Sequence, residues 1–114
     1  METILEQIKN ERIKQDAKWG QQNHPILDPM LLHRGRQRMC EEYEIPTEER
    51  AKFLCETNAN RGSVTYMHIL IEEISEAASC GVNTNELRKE LVQGAAVMVA
   101  MIESLDRNGR YSCD

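Results

Sequence analysis

Glu72, Glu73 and Glu76 fall within five residues of one another, and thirteen residues separate Glu76 from Glu90. On a helix each residue advances by about 100°, so the spacing i, i+1, i+4 gathers three carboxylates into an arc of roughly 100°. A second helix carrying Glu90 can bring a fourth carboxylate opposite them. Four acids facing one pocket repel one another unless a hard divalent cation such as Mg²⁺ lies between them. A bound magnesium ion points to phosphate chemistry. The competing reading is that glutamate, a good helix former, decorates a solvated face. Spacing alone leaves both open.

The elements that must position these acids are helical. Residues 2–18 read as a first helix with Ile4, Leu5 and Ile8 as a narrow apolar stripe, stopping at Trp19-Gly20. Asp28-Pro29 looks like an N-cap followed by proline at the first helical position, which predicts a helix over 29–44. Thr47 is expected to cap a further helix that runs to about Asn58. The acidic helix is expected from about Thr65 to Ser79, closed by a glycine C-cap at Cys80-Gly81. On it Met67, Leu70, Ile71, Ile74, Ala77 and Ala78 form an apolar arc opposite the glutamates. Ile69 falls inside the acidic arc, which hints at a second packing surface there.

The last helix is expected from Thr84 or Asn85 to about Arg107. Its centre, Gly94 to Ile102, is apolar on every side, and such a helix is buried on every side. A chain of 114 residues has trouble burying one helix completely, so this segment is expected to form a subunit interface. Glu90 and Gln93 stand one turn before the apolar run. A carboxylate at that edge is costly unless it is hydrogen-bonded, paired or metal-bound.

The bulk composition agrees with one all-α domain spanning 1–114. One Trp, one Phe and three Tyr leave Ile, Leu, Val, Met and Ala to build the core, which favours helices over a β-sandwich. A formal net charge of −5 argues against a binder of nucleic acid polymers, which would carry excess Lys and Arg. No run approaches the roughly 18 apolar residues of a membrane span. The opening residues are charged and polar, so no secretory signal is expected. Cys40, Cys55, Cys80 and Cys113 form no zinc pattern and read as free thiols of a cytoplasmic protein. No phosphate-binding loop or nucleophile motif is present.

The string Glu72-Glu73-Ile74-Ser75-Glu76, followed after thirteen residues by Glu90-Leu91-Val92-Gln93, resembles the EExxE…ExxD signature of the all-α nucleoside triphosphate pyrophosphohydrolases, the MazG-like branch above all. The stretch Glu11 to Pro25 looks like the ERxxQDxKWGxQxHP opening of small MazG-like proteins of bacteria and their phages. Thr65-Tyr66, Leu87 to Gln93 and the run Ala95 to Ile102 extend the similarity. It covers residues 11–25 and 61–107, more than half the chain.

The resemblance implies a MazG-like bundle of four or five helices, assembled as a homodimer or homotetramer. It implies hydrolysis of a nucleoside triphosphate to the monophosphate and pyrophosphate, serving nucleotide-pool sanitising or remodelling. Mg²⁺, with Mn²⁺ as an alternative, would be held by Glu73, Glu76, Glu90 and more weakly Gln93. Glu72 and Glu73 are the expected catalytic carboxylates, Glu72 as a ligand or as the base. Lys18, Arg88 and Lys89 are candidates to meet phosphate, and Trp19 to stack on a base. Gln93 stands where the family has Asp. Its neutral amide binds Mg²⁺ more weakly, which raises a second reading: a nucleotide-sensing or protein-binding module of the same fold with little catalysis.

Overall fold

The computed structural model describes residues 2–108. Five α-helices follow one another: α1 Ile4–Trp19, α2 Arg36–Glu42, α3 Glu48–Asn60, α4 Tyr66–Ala78 and α5 Thr84–Asn108. No strand occurs among the described residues. The chain divides into two compact units, one of residues up to Ile26 with those from Val99 onward, the other Leu27–Met98. No helix among the described residues is long and apolar enough to cross a membrane.

Local chemistry sets the boundaries. Thr3 caps α1, accepting the Glu6 amide at 3.1 Å while Glu6 Oε2 accepts the Thr3 amide at 2.8 Å. This reciprocal pair satisfies two otherwise orphaned donors. The helix ends at Gly20, whose φ of 70° suits the residue without a Cβ. Thr47 caps α3 through the Arg50 amide at 3.1 Å, as expected.

The expected helix over 29–44 is much shorter. Asp28 accepts the Met30 amide at 2.9 Å, but this caps a turn, and α2 starts only at Arg36. Gly35 at φ 96° lies outside any helical region and separates the two segments. At the other end of α2, the Glu44 amide donates to Glu41 O and the Ile45 amide to Cys40 O, both at 3.0 Å. That pattern needs a left-handed residue at Glu44, which has φ 53° where glycine is usual. Glu44→Gly relieves this strain, partly offset by the freer unfolded chain, and is expected to raise stability by about 0.5–1 kcal/mol. Thermal melting should shift up by about 4 °C; a fall would mean that the Glu44 side chain holds the turn.

The core of the Leu27–Met98 unit gathers Leu31, Met39, Cys40 and Ala78, with Leu27, Leu32 and Ile45 against them. Here the packing face of α4 keeps Leu70 and Ala78 of the expected stripe, both buried, but not its centre. Ile74 and Met67, at the centre of the apolar arc, are 43% and 53% exposed, whereas Ser75 and Ser79 are 0% and 3% exposed. The small side chains Ser75, Ala78 and Ser79 let α2 and the chain before α3 approach closely. Their polarity is met locally: Ser75 Oγ donates to Pro46 O and Ser79 Oγ to Ser75 O, each at 2.8 Å. A serine so satisfied costs little to bury. The centre of α5 is likewise not buried on every side within one chain, since Met98 is 49% exposed.

Cys40 and Cys55 are free thiols, and the Cys80 Sγ donates to the Glu76 carbonyl at 3.3 Å. Cys113 lies outside the described residues.

Candidate functional site

Two helices bring the acids together. Thr65 starts α4, its hydroxyl accepting the His68 amide at 3.3 Å while its own amide donates to His68 Nδ1 at 3.0 Å. After Ala78 the chain turns through Gly81, at φ 62°, and Asn83 opens α5 by accepting the Glu86 amide at 3.0 Å. This short connection sets Glu73 and Glu76 of α4 against Glu90 of α5. One carboxylate oxygen from each lies within 4.8 Å of the others. The helices are close at this level: a Cβ on Gly94 would meet the Glu73 Cβ at 3.9 Å.

The electrostatics are those of closely set acids. Glu90 is 9% exposed. Glu90 Oε2 and Glu73 Oε2 are buried with no hydrogen-bond partner. Burial pushes the Glu76 carboxyl up to about 7, aided by its hydrogen bond with Glu90 and by the charges of Glu73, Glu90 and Glu72. Glu73 is raised too, first by burial and then by the charge of Glu90. A hard cation fits this donor set. It takes oxygen ligands, and the two orphaned oxygens would gain a partner.

Not every expected residue joins. Glu72 lies near Cys55 of α3, whose thiol is pushed up first by burial and then by the Glu72 charge; that thiol donates to the His68 carbonyl at 3.1 Å. Gln93, Arg88 and Lys89 are exposed on α5. Lys18 and Trp19 belong to the other unit. There the Lys18 ammonium lies 4.8 Å from the centre of the Trp19 ring. Arg12, Gln15, Asp16 and Trp19 share one face of α1 and line a cleft of about 370 Å³. The Arg12 guanidinium is fixed by Gln15 at 2.6 Å and Asp16 at 2.9 Å.

Residues beyond the expected set also face the acids. A groove of about 320 Å³ runs from Glu76 and Glu90 past Ser79 and Cys80 to Asn83, Glu86 and Glu48. Glu86 stands one turn before Glu90 and was within reach of the spacing argument. Glu48 comes from α3, and only the tertiary fold brings it there. No family model matches the chain, and no curated protein or solved structure matches it either.

Proposed function

We propose that the chain is a magnesium-dependent nucleoside triphosphate pyrophosphohydrolase of the MazG-like kind. It converts a ribo- or deoxyribonucleoside triphosphate and water to the monophosphate and pyrophosphate. The observation that carries this reading is the trio Glu73, Glu76 and Glu90, drawn from two helices, with two buried oxygens lacking a partner. These three would hold the cation. When bound, it neutralises the triphosphate and polarises the α-phosphorus. Glu72, beside Glu73 on α4 and close enough for its charge to raise Glu73 and Glu76, or the cation itself, would activate the attacking water. Arg88 and Lys89 on α5 meet phosphate oxygens. In-line displacement then needs positioning and charge stabilisation, with no protein nucleophile.

The exposed apolar residues of α5, Leu91, Val92 and Met98, support assembly through that helix as a dimer or a dimer of dimers. One observation favours the sensor reading instead. Gln93 is exposed and neutral, so the trio stands without the fourth carboxylate of the family pattern.

Pyrophosphate release from a panel of NTPs and dNTPs, with about 5–10 mM Mg²⁺ or Mn²⁺ to fill oxygen-ligand sites, separates the two. Turnover that needs the metal and disappears in Glu73→Ala is the expected result. A folded, oligomeric protein that turns over nothing sinks the hydrolase, and Gln93→Asp becomes the variant that tests the sensor.

A further inference from the structure

The groove beyond the trio has a charge pattern of its own. Its volume of about 320 Å³ is in the range of small-molecule sites. Glu86 and Glu90 line it from α5, Glu76 from α4 and Glu48 from α3, and none of its described lining residues is basic. Glu86 and Glu90 are four residues apart, so they share one face of α5 with a rise of about 6 Å between them. Like charges at that spacing weaken a helix, and a cation bound along the row would relieve the repulsion. A second observation points to a ligand. Glu90 is 9% exposed, and its Oε2 is buried with no hydrogen-bond partner at the wall of this groove. A carboxylate oxygen so placed calls for a donor.

The shape of the charge decides which cation fits. A divalent ion needs its ligand atoms gathered round one point. Among the described residues only Glu73, Glu76 and Glu90 gather in this way, within 4.8 Å of one another. Glu86 belongs to no such group, so the groove beyond the trio is not a second point-charge site. Carboxylates strung along a groove match a linear cation whose charges are strung out likewise. We propose that the groove binds an aliphatic polyammonium ion, with one ammonium between Glu76 and Glu90 and the next at Glu86. An ammonium carries three N–H donors and no acceptor, so it can bond Glu76 and the orphaned Glu90 oxygen together. Four methylenes between two nitrogens reach about 6 Å at ordinary bond lengths, the rise from Glu90 to Glu86. Ammonium and magnesium would claim the same two carboxylates, which makes the polyammonium a competitor for the cation site. Its effect on turnover rests on the hydrolase reading; the binding does not.

The test is calorimetric titration of the metal-stripped full chain with spermidine, putrescine and butylamine, in about 0.1 M salt to screen diffuse attraction. Spermidine should bind saturably, one per chain, with putrescine weaker and butylamine weaker by about a hundredfold, the scale of the lost charged contacts. Glu86 is exposed, so Glu86→Gln should fold as the wild type does. It should weaken spermidine about tenfold, the scale of one charge-assisted hydrogen bond, and leave magnesium affinity within about twofold. Glu103→Gln, which removes an exposed acid of α5 outside the groove, controls for net charge and should leave spermidine binding unchanged. Saturating spermidine should raise the apparent dissociation constant of magnesium in the wild type. Butylamine binding as well as spermidine, an equal loss in Glu86→Gln and Glu103→Gln, or magnesium binding indifferent to spermidine overturns the proposal. Absence of turnover in the wild type overturns the hydrolase reading alone, and the spermidine titration then decides the groove by itself.

Discussion

Glu90→Gln is expected to melt above the wild type at pH 8 in the absence of metal, and to lose both stabilisation by magnesium and pyrophosphate release. The Glu90 side chain is 9% exposed, and its Oε2 is buried without a hydrogen-bond partner. Its oxygen faces those of Glu73 and Glu76 within 4.8 Å. An amide of the same shape removes one charge from this cluster and supplies two donors to the carboxylates that remain. A buried polar group left unsatisfied costs about 1–3 kcal/mol. Recovering even part of that is worth about 4 °C of melting temperature for each kcal/mol.

The metal effect has the opposite sign. In the wild type, Mg²⁺ at a hundred times its dissociation constant adds about 2.7 kcal/mol. The variant lacks a charged ligand and should gain little of this. Catalysis should fall by about 10²–10³-fold, as expected where a charge-stabilising group is removed. Opposite signs for stability and activity mark a site whose strain is retained for its chemistry. A Glu90→Gln protein that melts lower without metal, and is still raised by magnesium, would show that Glu90 is structural.

The same trio shows how far the sequence can be read. The i, i+3 relation of Glu73 and Glu76 is a property of one helix, and the cap Thr47 and the turn at Gly81 are local chemistry, so both were legible. Glu90 was legible because a carboxylate beside an apolar run is anomalous. The destination of Glu72 was not. It depends on which neighbour lies on each flank of α4, and nothing in the local spacing names Cys55 of α3. The buried face of α4 was misjudged for a related reason. Ser75 and Ser79 read as polar and Ile74 as core, yet close approach favours small residues when their hydroxyls find backbone acceptors. Helix 29–44 failed at a single glycine, Gly35, whose positive φ is fixed only by how the chain returns to the core.

Stability without metal should fall as pH rises from about 4.5 to about 7, and magnesium should cancel that fall. The Glu76 carboxyl is pushed from its ordinary 4.5 up to about 7, chiefly by burial and then by its hydrogen bond with Glu90. Between these values the folded protein holds a proton that the unfolded chain has released. The folded state therefore binds more protons, and stability declines with increasing pH over this window and levels off above about 7. Glu73, raised for the same reasons, adds to the slope. A cation needs these carboxylates deprotonated, so its binding must expel the proton. Calorimetry in two buffers of different ionisation enthalpy should find about one proton released per metal at pH 6 and almost none at pH 8.5. Surface carboxylates also titrate at the acidic edge, and Glu76→Gln isolates the contribution of the trio: it should flatten the metal-free slope between pH 5 and 7. A wild type that releases no proton at pH 6, with the same slope in EDTA and in magnesium, means that the three acids hold no cation. The case for phosphate chemistry at this site would then lose its main support.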